Sequence, residues 1–129
     1  NRQLMTVSDI NGKKAITNYK TIKVFNIKDI PKISLLECEL ETGRTHQIRV
    51  HLKYKGTSLL GDKQYGKKNV KFKKINNEFF MKLNELSGQA LHAKTLGFNH
   101  PVTKKWMSFN TDLPDGFKKI LNLLKNLNS

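Results

Sequence analysis

Residues 43–49, Gly43-Arg44-Thr45-His46-Gln47-Ile48-Arg49, crowd two guanidiniums, an imidazole, an amide and a hydroxyl into one short run. Such groups beside a glycine and a helix start suit anion recognition, because helix N-termini favour negative charge. Arg44, just outside the helix, can present its planar fork to a carboxylate or a phosphate with two bonds at once. The competing reading is a surface helix carrying ordinary polar residues. The density of planar donors argues for the functional one.

Other chemistries find less support. The sequence holds no Gly-x-Gly-x-x-Gly or Walker-type run for phosphates. His46 and His51 are five apart, about 140° round a helix, so they cannot share a metal on one face. His92 and His100 have no acidic partner at ligand spacing, and His92 reads as a half-buried, satisfied histidine. Cys38 stands between Glu37 and Glu39, where a thiolate is disfavoured.

The elements that must position this run follow from periodicity. Leu4–Val7 and Ala15–Ile27 read as strands joined through Asn11-Gly12, a strong hairpin signal. Ile33–Leu40 alternates, with Leu36, Cys38 and Leu40 on one face and glutamates on the other. A helix over about 46–55 is predicted next, capped by Thr45 and closed by Gly56. Lys67, Lys68, Lys71, Lys73 and Lys74 mark a solvated surface loop over 67–74, and Asn76–Leu86 is weakly helical. Gln89–Phe98 and Lys105–Asn110 read as strands around Asn99-His100-Pro101, with Trp106 and Phe109 as core. After Leu113-Pro114-Asp115, a last helix repeats Phe117, Ile120, Leu121 and Leu124 at threes and fours. The expected architecture is α+β, a largely antiparallel or mixed sheet flanked by short helices, forming one domain over 1–129.

Composition bounds the class. The 129 residues are 37% hydrophobic and 26% charged, too apolar for a disordered tail and too polar for a membrane protein. The N-terminus has no signal-peptide pattern and does not start with Met, so an excised piece of a longer chain is expected. One cysteine excludes an internal disulfide and points to a reducing cytoplasm. Twenty-four basic residues against ten acidic leave +14, which favours a polyanionic partner. Of the 24, 21 are Lys, so lysine-rich codon bias is the plain alternative.

The longer run Glu41-Thr42-Gly43-Arg44-Thr45-His46-Gln47-Ile48-Arg49-Val50-His51-Leu52 resembles the signature of the RluA-type RNA pseudouridine synthases. Gly12 to Tyr19, Leu60-Gly61-Asp62-Lys63-Gln64-Tyr65-Gly66, Gln89 to Phe98 and His100-Pro101 are similar to further family segments, in the family's order. The resemblance covers residues 3 to 115. Gly88 departs from it, since many members carry Arg there.

The resemblance implies a cofactor-free isomerisation of uridine in RNA, and the expected substrate is ribosomal or transfer RNA; a cytoplasmic monomer with no metal and no membrane attachment is the accompanying expectation. The resemblance makes Arg44 the partner of a catalytic aspartate, a pairing that physics favours because opposite charge within about 4–6 Å stabilises the carboxylate. Thr45, His46, Gln47, Arg49, Asp62 and Tyr65 are the candidates for substrate or RNA contact; the plain alternatives are that Thr45 caps the helix, Gln47 bonds backbone, and Asp62 and Tyr65 build a turn at the cleft edge. The family's aspartate and tyrosine motifs lie upstream of the arginine and neither is found here. Asp9, Asp29, Asp62, Asp112 and Asp115 match no such context. The expectation is therefore the C-terminal part of a catalytic domain, inactive by itself. The alternative is a non-catalytic basic RNA-binding module.

Overall fold

A computed structural model of the protein describes residues 3–4, 8–66, 72–73 and 76–128. Strand β2 (Ser8–Ile10) turns into β3 (Lys13–Ala15) through Asn11 and Gly12, whose φ values are 53° and 75°. Positive φ at both positions makes a turn whose twist matches the strands it joins. The expected hairpin is present there. Its first strand was expected at Leu4–Val7, and residues 5–7 lie outside those described.

The strand expected over 15–27 divides at Ile16, between β3 and β4 (Thr17–Phe25). Ile16 gives its N–H to the Thr42 hydroxyl, while its carbonyl accepts from Glu41 N and the Gln47 side chain. Those bonds take the place of a strand ladder at that residue. Beyond it, β4 pairs antiparallel with β5 (Ile33–Leu40) from Thr17 opposite Leu40 to Phe25 opposite Ile33, with a bulge between Thr21 and Lys23. Strand β1 (Gln3–Leu4) lies on the other edge of β4.

Helix α1 (Gln47–Tyr54) follows β5, α2 (Asn77–Glu85) starts at an Asn76 cap, and α3 (Asp115–Leu127) ends the fold. Asn76 Oδ1 accepts from Phe79 N at 2.8 Å, satisfying one of the donors a helix start leaves open. The main core joins Phe25 and Ile27 to Phe72, Phe79, Leu83, Ile120 and Leu124. The three- and four-residue spacing expected in the last helix puts Ile120 and Leu124 there.

Two expectations about the core are corrected. Phe72, inside the lysine-rich run read as a surface loop, is buried and meets Phe79 edge-on at 5.2 Å between ring centroids. An isolated aromatic among lysines gave no periodic signal. Lys73 is exposed, as expected, while Lys67, Lys68, Lys71 and Lys74 lie outside the described residues.

Trp106 and Phe109, read as core, are 66% and 51% exposed. They stand on β7 (Trp106–Asn110), which pairs only with β6 (Thr95–Asn99) among the described residues. Strand β6 is shorter than the expected Gln89–Phe98, because Ala90 N is drawn away to the Leu60 carbonyl at 2.8 Å. The whole is α+β, with every described strand pair antiparallel.

Candidate active site

The segment between β5 and α1 carries the arginine. Helix α1 begins at Gln47, later than expected, because His46 at φ 52° sits in the left-handed region and interrupts a right-handed series. Thr45 is exposed and makes no cap; no side chain caps this helix. Its C-terminal end is as expected, with Gly56 at φ 77° just past Lys55.

Gln47 does not reach the surface. It is 3% exposed, and its amide is engaged within the protein. Oε1 accepts from Thr42 Oγ1 at 2.7 Å and from Arg44 N at 3.0 Å. Nε2 donates to Ile16 O at 3.0 Å and to Thr17 Oγ1 at 2.9 Å. Thr17 in turn lies 2.9 Å from His51 Nδ1. Burial lowers the pKa of His51, and Nε2 has no partner among the described residues. Sequence reading missed His51, Thr17 and Thr42. The four-residue spacing of Gln47 and His51, which puts them on one helix face, was the available signal.

Arg49 forms a two-pronged ion pair with Asp62, Nε to Oδ2 and Nη2 to Oδ1, both at 2.9 Å. Asp62 is buried and also accepts from Gln64 N and Tyr65 N at 3.1 and 3.0 Å. The guanidinium of Arg49, helped by those amides and against the effect of burial, holds the Asp62 carboxyl down at about 2. The same bond raises the pKa of Arg49. Gly61 and Gly66 let this turn close: Gly61 has φ 76°, and a side chain at Gly66 would collide with the Asp62 carbonyl.

Tyr65 is brought into the same cluster. The Arg49 guanidinium lies 4.9 Å from its ring centroid, within cation–π range. Its hydroxyl lies 3.1 Å from His46 Nδ1, and the two rings meet edge-on. His46 is exposed, so this pair borders solvent beside the arginine segment.

Arg44 itself is half-buried and donates from Nε to the Lys14 carbonyl at 3.0 Å. No carboxylate among the described residues pairs with it, which leaves its terminal nitrogens available. Asp62 serves Arg49, and Asp112 pairs with Lys118 at 2.7 Å. Cys38 carries a pKa raised by burial and by Glu37, opposite to what a nucleophile needs. His92 is half-buried as expected, although its Nε2 has no partner among the described residues. No group of three metal-binding side chains occurs among the described residues, and no helix is long and apolar enough to cross a membrane.

An α+β frame that presents one arginine, held at its backbone and open at its fork, matches the class the sequence resembles. The family described as RNA pseudouridylate synthase matches residues 1–54. The chain belongs to the RluA-type RNA pseudouridine synthases.

It is 42% identical over 127 residues to the "Uncharacterized RNA pseudouridine synthase YlyB" of Bacillus subtilis, covering 97% of this chain and 35% of the relative. It is 42% identical over 125 residues to the "Ribosomal large subunit pseudouridine synthase D" of Zymomonas mobilis, covering 96% and 36%. The protein of that name from Buchnera aphidicola (subsp. Baizongia pistaciae) is 44% identical over 117 residues, covering 91% and 34%. The chain therefore spans about a third of the length of these curated relatives.

Proposed function

We propose that the protein carrying this chain converts uridine to pseudouridine in RNA, with Arg44 orienting and ionising an aspartate supplied from outside these 129 residues. The base–ribose C–N bond breaks, the uracil turns, and its C5 is rejoined to C1′, so nothing is gained or lost overall. A base must leave any stack to be reached. The names of the relatives from Zymomonas and Buchnera favour ribosomal RNA as the substrate.

The observation that carries this reading is an arginine fork with no carboxylate partner among the described residues, on a backbone held from several sides. Asp9 and Asp29 are exposed, Asp62 is committed to Arg49, Asp112 lies before α3 and Asp115 in its first turn. None is bonded to Arg44. By itself the 129-residue chain would then bind RNA through its charge, more weakly as salt rises, and would not turn over.

Tritium release from C5-labelled uridine RNA tests this. The complete open reading frame should release tritium, and the 129-residue chain only background. Arg44→Ala and Arg44→Lys should each slow single turnover by about 100-fold or more, because lysine keeps the charge but loses the fork. RNA affinity should change little. Release by the short chain would show that one of its own aspartates serves. Loss of binding in Arg44→Ala with a normal rate at saturation would make the arginine an RNA clamp instead.

A further inference from the structure

Gln47 stands out as a polar side chain that is almost wholly buried and whose amide is fully used. Its four hydrogen bonds match the two donors and two lone pairs an amide has. The direction of each is settled by neighbours, since Arg44 N can only donate and Ile16 O can only accept. The Gln47 backbone N–H adds a bond to the Arg44 carbonyl at 3.1 Å. Both peptide groups flanking the Arg44 α-carbon therefore end on Gln47.

The far end of the arginine is tied to the same place. Arg44 Nε grips Lys14 O, while Gln47 Nε2 grips Ile16 O and Thr17 Oγ1, all within the stretch 14–17. Thr42 adds a second tie, donating to Gln47 and accepting from Ile16 N at 2.9 Å. The amide thus sets the separation between the Arg44 backbone and the strand segment that its side chain reaches.

We infer that Gln47 is a positioning residue for Arg44: its buried amide aligns the guanidinium for the carboxylate, and it has no contact with RNA. The inference rests on the reading that Arg44 orients a catalytic aspartate. Misplacing such a group by about 1 Å can cost on the order of 100-fold in rate. Helix α1 keeps other anchors when the amide is lost, among them Leu52 in the interior and the His51–Thr17 bond.

The experiment is a double-mutant cycle in the complete open reading frame, read as single-turnover tritium release at saturating RNA. Gln47→Met keeps length and removes every side-chain bond. It should lower the rate on the order of 10- to 100-fold while RNA affinity moves less than about threefold. In an Arg44→Ala background the same change should cost less than about threefold, because residues that act through one another are not additive. A merely structural role predicts instead that the two losses multiply, and that result overturns the inference. So does an unchanged rate in Gln47→Met. Should circular dichroism show Gln47→Met unfolded, Thr42→Val in the same cycle decides, with a smaller loss that also vanishes in Arg44→Ala. A wild-type open reading frame that releases no tritium sinks the proposed function and the positioning role together. Wild-type release with multiplying losses sinks the positioning role alone.

Discussion

The region around α1 and the β6–β7 hairpin use similar chain lengths in opposite ways. Around α1, Gln47, His51, Asp62 and Thr17 are buried polar residues, and nearly all their polar atoms are bonded to one another or to backbone. On the hairpin, Leu96, Phe98, Trp106 and Phe109 are large apolar residues left in solvent. Leu96 faces Phe109 across the ladder and Phe98 faces Met107, so these four share one face, and Phe98 stacks with Phe109 at 5.9 Å. Two-stranded ribbons are marginal without something to pack against. Removing one member of a buried polar network leaves its partners' polar atoms unbonded, whereas an exposed apolar face loses little from one truncation.

The largest effect on stability should come from Asp62→Ala, which leaves the Arg49 guanidinium without its partner and opens the Gly61–Gly66 turn. Removing one side of a buried pair costs roughly 3 kcal/mol, which urea unfolding of the protein at neutral pH would measure. The wild type should also show acid lability from this residue. Its carboxyl falls from an ordinary 3.8 to about 2 on folding, so the contribution is complete above about pH 4 and is lost as pH drops towards 2. A stability curve with that acid limb in wild type and without it in Asp62→Asn would agree. An Asp62→Ala protein as stable as wild type would remove the contrast between the two regions.

A smaller effect concerns His51. Burial lowers its folded pKa below the ordinary 6.5, so its neutral form is favoured in the native state. The associated stability is complete above about pH 6.5 and declines as pH falls below it, because the unfolded chain then binds the extra proton. Unfolding free energies at pH 7.5 and 5.5 should differ more for wild type than for His51→Gln. An equal difference in both would place the titration on another histidine.

The smallest change belongs to the hairpin. Phe109→Ser in the 129-residue chain should alter stability by less than about 0.5 kcal/mol, the usual range for surface sites. A thermal shift as large as that of Asp62→Ala would mean that the apolar face is covered in solution.

Much of the frame was readable from local chemistry. The turn at Asn11-Gly12 needs positive φ at two residues, and that pair supplies it cheaply. Strand Ile33–Leu40, the helix after the arginine and the three- and four-residue spacing of α3 all follow from periodicity. The candidate site was legible as a run of residues, and Arg44 stands where that run suggested.

What each residue of the run does was decided only in three dimensions. Arg49 and Asp62 are 13 apart in sequence, and nothing local tells a phosphate-binding arginine from one already paired. In the sequence Gln47 could meet substrate or bond backbone; in the fold Ile16 and Thr17, some 30 residues earlier, lie over it and take its amide bonds. Trp106 and Phe109 have the residue types of a core and the location of a surface. Residue type and spacing express preferences of the nearby backbone. Burial and pairing depend on which distant segments arrive, and those contacts carry no periodic trace in the sequence.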